Sequence, residues 1–288
     1  MQHRSDKTAE LEKSYRGRFP FRIATTSYIY PGRIAPNLRA LAPFVDEVEV
    51  LLFEKSSPPS ADEIREVAAV LDASGLTVNV HLPLDAALAA EDAKRRRADV
   101  RLVRQLIDQT RPWHPTSYCL HITPAPADTA AGGLDRWRRR AADALTGVLD
   151  GPPAPQRFTV ETLDYPFAWA EPLVEDFGLS VCADLGHLFV HGFDPMPLFE
   201  RHRRRITVIH LHGVAGGKDH LPLDRIESAF AATTRRILDG FSGVVSLEVF
   251  SFGALAASLH FLEGLVGPQQ IKSRSDFIPT DGPFRRPR

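Results

Sequence analysis

His81, His121, Glu161, Asp184, His187, His210, His220 and Glu248 share a placement: each stands at or just past the C-terminal end of a short apolar run. Imidazole nitrogen combined with carboxylate oxygen suits Zn2+, Mn2+ or iron, whereas an all-carboxylate set would suit Ca2+ or Mg2+. One histidine in such a place means little. The same residue types returning run after run imply a polynuclear metal site assembled from most of the chain. Asp184 and His187 form D-x-x-H, and His210 and His212 form H-x-H, which on a strand turns both side chains to one face. Asp219 and His220 follow in the loop GVAGGKDHLPLD, whose glycines permit close backbone approach. Glu161, Asp184 and Glu248 each close an apolar run, where a buried carboxylate is costly unless it is paired or metal-bound. These three are the candidate catalytic carboxylates.

Such residues can meet only if the elements between them repeat. Apolar, β-branched runs occur at FRIATTS (21–27), EVEVLLFE (47–54), LTVNVHLP (76–83), TSYCLHIT (116–123), RFTVETL (157–163), LSVCADLG (179–186), ITVIHLHG (206–213) and GVVSLEVF (243–250). Helical spacing fills the intervals, at about 35–44, 60–75, 86–110, 132–148, a short piece before Gly178, 195–205, 223–238 and 253–265. Ser60-x-x-Glu63 is a capping box, and Gly75 is the matching stop. Eight strands, each followed by a helix, predict an α/β chain folded as a single (β/α)8 TIM barrel, in which the C-terminal strand ends share one mouth. The barrel is expected over 19–268, with a flexible or surface N-terminal arm at 1–18 and an irregular C-terminal tail at 269–288. An open doubly wound sheet is disfavoured because TTSYIYPG, after the first strand, is no glycine-rich phosphate loop.

The 288 residues are 43% hydrophobic and 25% charged, ordinary globular values, with a formal net charge of -1. No global field favours a polyanion, so no nucleic acid partner is expected. The basic runs Arg95–Arg97, Arg138–Arg140 and Arg201–Arg205 fall on outer helices rather than at the mouth. The first twenty residues lack an apolar core for a signal peptide, and no run is long enough to span a bilayer. A cytoplasmic location with no membrane partner is expected, with Cys119 and Cys182 as reduced thiols in buried strands.

Taken in order, a strand-end Glu, D-x-x-H, H-x-H with a following loop His, and a final Glu resemble the xylose-isomerase-like barrels. That group includes sugar isomerases and epimerases and the endonuclease IV-type phosphodiesterases. The isomerase branch implies one divalent ion on Glu161, Asp184, His210 and Glu248. The phosphodiesterase branch adds a His at strand three, a His at strand four and a third-ion group, which His81, His121, His187, Asp219 and His220 match. The loop departs from that pattern: the family separates its Asp and His by one residue, whereas Asp219 and His220 are adjacent. His220 alone then binds, or His212 substitutes.

The stretches TTSYIYPGRIAPNLRALAPFVDEVEVLLFE, VNVHLPLD, CADLGHL and HLHGVAGGKDHLPLD look like the cobamide-remodelling phosphodiesterases, over about residues 20–268. The resemblance implies hydrolysis of the nucleotide-loop phosphodiester of a cobamide, a corrinoid of the vitamin B12 type. The products would be cobinamide and a ribazole-type phosphate, and the cofactors two or three divalent ions, Zn2+ or else Mn2+. It further implies that Glu161 bridges two ions. His81 and His121 hold the first, Asp184, His210 and Glu248 the second, and His187 and His220 a third. Asp164 or Glu49 would orient ligating imidazoles from behind. Tyr28, Tyr30, Phe53, Glu54 and His212 border the mouth as candidate substrate contacts. Two enzyme alternatives remain: a single-metal sugar (phosphate) isomerase or epimerase using Glu161 and Glu248 to shuttle protons, and an abasic-site endonuclease. A corrinoid carrier with a histidine on cobalt would not require the carboxylates.

Overall fold

The computed structural model describes residues 9–267. Its strands are β1 (Arg22–Thr26), β2 (Glu47–Leu51), β3 (Thr77–His81), β4 (Tyr118–Leu120), β5 (Phe158–Glu161), β6 (Ser180–Asp184), β7 (Ile206–Leu211), β8 (Gly213–Ala215), β9 (Lys218–Leu221) and β10 (Val244–Leu247). Its helices are α1 (Ile34–Leu41), α2 (Ala61–Ser74), α3 (Ala93–Thr110), α4 (Gly133–Val148), α5 (Glu171–Asp176), α6 (Leu185–Val190), α7 (Pro195–His202), α8 (Ser228–Leu238) and α9 (Phe252–Val266). Eight strands close a barrel in the order β1-β10-β7-β6-β5-β4-β3-β2, and every neighbouring pair is parallel. The expected (β/α)8 barrel is therefore the fold.

Alternation along the strands separates two interiors. Outward residues such as Ile23, Val48, Val78, Leu120, Val160, Val181 and Ile209 join the helix faces in one large apolar core. Ala24, Cys119, Cys182, Val208 and Val244 form a separate small cluster inside the barrel. Both cysteines are buried free thiols. One layer above that cluster, toward the C-terminal strand ends, the inward positions change from apolar to His and carboxylate.

Helix limits follow local hydrogen-bond chemistry. Ser60 Oγ accepts the Glu63 N–H at 3.2 Å and Gly75 adopts φ +63° to end α2, a pairing whose cap contributes about 1 kcal/mol. The helix expected from 86 begins only at Ala93. Asp92 caps it by accepting the Lys94 N–H, and the buried Asp99 ties down the preceding turn through Ala87 N–H and Lys55 Nζ. The helix expected over 195–205 stops at His202, and the one expected from 223 splits into a 3-10 turn (Leu223–Arg225) and α8. Two elements were not anticipated: α6, directly after Asp184, and the β8–β9 hairpin.

From residue 9 the N-terminal segment has no helix or strand but is held down. Leu11 and Tyr15 are buried, and the Arg16 guanidinium donates to Ala42, Ser74 and Gly75 carbonyls at the ends of α1 and α2. The tail expected at 269–288 lies outside the described residues.

Candidate metal centre

Most of the ligand-type side chains owe their position to the end of a barrel strand, whereas His187 stands on α6 and His220 on β9. His81, Glu161 and Asp184 are the last residues of β3, β5 and β6. His121 and Glu248 follow β4 and β10 by one residue, and His210 lies level with Asp184 across the β6–β7 register. Among the described residues four groups have ligand atoms within 4.8 Å of one another: Cys119, Cys182 and His210 lie deepest, and three stand at the mouth, namely His81, His121 and Glu161; Glu161, Asp184, His210 and Glu248; and His187, His212 and His220. Glu161 belongs to the first two at the mouth. Its Oε2 lies 2.9 Å from His81 Nε2 and 2.8 Å from His121 Nε2, while its Oε1 lies 3.3 Å from His187 Nδ1 and 3.5 Å from His210 Nδ1. One carboxylate thus presents a different oxygen to each side.

These residues fit divalent cations on two physical grounds. Three carboxylates, Glu161, Asp184 and Glu248, converge at 5% exposure or less, and among the described residues their ion-pair partners are all histidines. Like charges at that density need a positive counter-charge. In addition, Asp184 Oδ2, His210 Nδ1 and His212 Nε2 are buried without a hydrogen-bond partner and are directed into the groups. Without cations, protons supply the counter-charge. Burial alone would raise Glu161, but His121 and His210 hold it well below the usual carboxylate range. Burial lowers His187, yet Asp184 and Glu161 raise it to about 10; His220, likewise lowered by burial, is raised to about 9 by Glu248 and Asp219.

Surrounding polar atoms orient the rings. His81 Nδ1 lies 2.9 Å from the Leu82 carbonyl, which fixes a hydrogen there, so Nε2, which donates to Glu161 in the absence of an ion, is the nitrogen that an ion would take. His210 Nε2 faces Glu49 Oε1 at 2.9 Å, and Glu49 Oε2 accepts from Ser246 Oγ at 2.5 Å. Glu49, rather than Asp164, is therefore the carboxylate behind a candidate ligand imidazole. Cys119 Sγ donates to Glu161 Oε2 at 3.2 Å from the layer beneath. Asp184 Oδ1 accepts the His187 N–H at 2.7 Å, so one carboxylate both caps α6 and leaves its second oxygen for the centre.

The structure places three residues otherwise than expected. His212, a candidate substrate contact and the alternative loop ligand, is fully buried; its Nδ1 accepts the His220 N–H at 2.9 Å, which leaves Nε2, 3.3 Å from Asp184 Oδ1, as the nitrogen available to the third group. Asp219, a candidate ligand, is not in the third group; its half-exposed carboxylate lies 3.1 Å from His220 Nδ1. Tyr30 turns away from the mouth, donating from its hydroxyl to the Ala9 carbonyl at 2.7 Å and stacking on Phe252. Tyr28, Phe53 and Glu54 do line a cavity of about 540 Å³ beside the C-terminal strand ends. A separate cavity of about 600 Å³, between Arg22, Thr116, Gln156 and Thr207, opens at the opposite end and contains none of the ligand groups. Sequence reasoning passed over Phe250, whose ring sits 5.6 Å from that of His220. The available signal was its spacing two residues beyond Glu248, on the same side of an extended chain.

His220 itself occupies φ +50°, a left-handed conformation that costs a non-glycine residue on the order of 1 kcal/mol. Its N–H bond to His212 offsets that cost and aims the ring inward. Gly186 is needed for a different reason: a Cβ there would lie 2.0 Å from His212 Cε1.

Comparison with known proteins agrees with the barrel fold. No curated protein matches the chain. Among solved structures, a D-tagatose 3-epimerase-like protein aligns with TM-score 0.72 at 16% identity, covering 85% of this chain and 97% of the other. Endonuclease IV from Thermus thermophilus aligns with TM-score 0.64 at 18% identity, covering 85% and 98%. A 3-keto-D-glucoside 4-epimerase from E. coli aligns with TM-score 0.64 at 16% identity, covering 85% and 99%. At these identities the likeness is one of fold. The family model described as xylose isomerase-like TIM barrel matches residues 44–265, and the chain belongs to that family.

Proposed function

We propose that the protein is a metal-dependent phosphodiesterase that hydrolyses the nucleotide-loop phosphodiester of cobamides, releasing cobinamide and a ribazole-type phosphate. The observation that carries this reading is the bridging position of Glu161, with His81 and His121 at one oxygen and His187 and His210 at the other. The first of these sets counts against a one-ion isomerase, whose ion the second set would hold without it. Divalent ions, Zn2+ by the His-rich donor set, supply Lewis acidity toward phosphate and water activated near neutral pH. The protein's own part is positional. Glu161 ties the two sets together, Glu49 and the Leu82 carbonyl hold ring orientation, and the β8–β9 hairpin carries His220 over the mouth. The cobamide assignment is supported by the sequence text flanking the ligands and by the aromatic rim at Tyr28 and Phe53. A nucleic acid substrate is disfavoured because the arginine runs lie on α3, α4 and beside α7, where Arg96, Arg140 and Arg201 pair with Asp143, Asp128 and Glu171.

A second reading, a sugar or sugar-phosphate epimerase, is favoured by one observation: Glu161, Asp184, His210 and Glu248 form a complete four-ligand group on their own. Incubating metal-replete protein with adenosylcobalamin separates the two. The phosphodiesterase reading expects loss of lower-ligand absorption, appearance of a phosphorylated riboside, and two or three bound metal equivalents. A single equivalent with no cobamide turnover would overturn it in favour of the epimerase.

A further inference from the structure

Phe250 is 42% exposed, one of only two large hydrophobic side chains left exposed among the described residues. Single exposed apolar residues are ordinary. This one is part of a line. Its ring centroid lies 5.6 Å from that of His220 and 6.1 Å from that of Phe53, and Phe53 lies 4.7 Å from Tyr28. Four rings therefore run without a break from a histidine of the third group to the outer rim. The line is rigidly mounted. Thr26 Oγ1 donates to the Val249 carbonyl at 2.8 Å, and Ser251 Oγ accepts the Ala254 N–H at 3.3 Å, so Phe250 is held between a barrel strand and the capped start of α9.

The chemistry of the rim limits what can cover this line. Glu54, Glu63 and Arg33 border the cavity at Tyr28 and Phe53, with Arg33 paired to Glu66 at 3.1 Å, and Asp219 stands beside His220. Carboxylates along an aromatic surface repel a polyanion, which disfavours stacked bases of a nucleic acid. A monosaccharide would cover a single ring and leave the others wet. A broad, flat, largely apolar molecule carrying hydrogen-bond donors at its edge would cover the rings and offer those donors to the carboxylates.

Resting on the cobamide phosphodiesterase reading, we propose that Phe250, Phe53 and Tyr28 form a shelf for the face of the corrin macrocycle and thereby select macrocyclic over small phosphodiesters. The substrate's own connectivity requires such a surface. Its phosphodiester hangs from the macrocycle by a short flexible arm, so phosphorus at the metal centre places the ring system against the adjoining rim. Glu54 is positioned to accept from the peripheral amides.

The test compares kcat/KM for adenosylcobalamin with kcat/KM for bis(4-nitrophenyl) phosphate, using zinc-loaded full-length protein. Phe250→Ala should lower the ratio of the two at least tenfold, chiefly through KM for the cobamide, and Phe250→Trp should restore it. An equal loss on both substrates, or no change in the ratio, would overturn the shelf. Binding of cobinamide, followed by absorbance, keeps the shelf distinct from the hydrolysis. If the unaltered protein binds cobinamide and Phe250→Ala weakens that binding tenfold while no cobamide is cleaved, the shelf stands and the hydrolytic reading falls. If cobamide is cleaved but cobinamide affinity is the same in both proteins, the shelf falls and the hydrolytic reading stands.

Discussion

Glu49 shows how a buried acid inside a barrel can act at one remove. It is fully enclosed, and its two oxygens face His210 and Ser246, so its charge is directed at a ring whose other nitrogen looks into the metal centre. Carboxylates in that position raise ligand basicity and fix ring orientation. Glu49→Gln should therefore weaken metal affinity by about 10- to 100-fold while leaving the fold in place. Competition with a chromophoric chelator would measure it, and an unchanged affinity would remove Glu49 from the centre. Gly186 makes the complementary point. Replacing a helical glycine by alanine ordinarily stabilises by about 0.5–1 kcal/mol. Here the added Cβ would overlap the His212 ring, with Cε1 at 2.0 Å and Nε2 at 2.3 Å. Overpacking of that kind costs about 1–3 kcal/mol and displaces the ring that faces Asp184. Gly186→Ala is expected to lower the melting temperature and the bound metal together; a stabilised variant with full metal content would refute this.

Individual elements divide the work unequally. The barrel strands deliver the first and second groups, whereas the β8–β9 hairpin delivers only His220 to the third. That hairpin turns on Gly216 and Gly217, at φ +60° and +72°. Valine at Gly216 would have to hold a left-handed conformation at a cost of about 1–2 kcal/mol per residue. Gly216→Val should loosen the hairpin and reduce bound zinc by one equivalent, with the two strand-borne groups retained. Elemental analysis of the purified variant would check the count. The hairpin was missed in the sequence because GVAGGKDHL lacks the β-branched, alternating residues of a strand and reads equally as an irregular loop, although Gly216-Gly217 supplies the turn between the paired Ala215 and Lys218. The start of α3 differs from expectation for a local reason: Ala86–Ala90 has good helix formers, but the Asp92 cap and the buried Asp99 win against propensity.

At the scale of the whole molecule, stability and metal content are linked through the same histidines. His187 and His220, raised to about 10 and about 9 by the carboxylates around them, stabilise the metal-free protein through their charged forms. A raised histidine contributes fully below its ordinary value of 6.5 and loses that contribution as pH rises through 9 to 10. Cations require the neutral rings and so act in the opposite direction. The gain in melting temperature on adding zinc should be larger at about pH 8 than at about pH 6, since the protons that the metal displaces from these rings are released into a lower proton concentration. A gain that shrinks with rising pH would show that these rings do not ligate. No helix among the described residues is long and apolar enough to cross a membrane.

Much of this was written locally. Alternation with period two and the recurrence of strand and helix sufficed to predict the barrel, and strand-end position was enough to gather His81, His121, Glu161, Asp184, His210 and Glu248 at one mouth. Both depend on neighbours a few residues apart, which any reading of the chain contains. The sequence by itself therefore determined the architecture and the types of ligand. Only the tertiary structure decided which oxygen of Glu161 meets which histidines, that Glu49 lies behind His210, that His212 rather than Asp219 completes the third group, and that Tyr30 leaves the mouth while Phe250 joins it. Each of those depends on register and ring orientation across strands far apart in the chain, where a displacement of one residue turns a side chain to the other face.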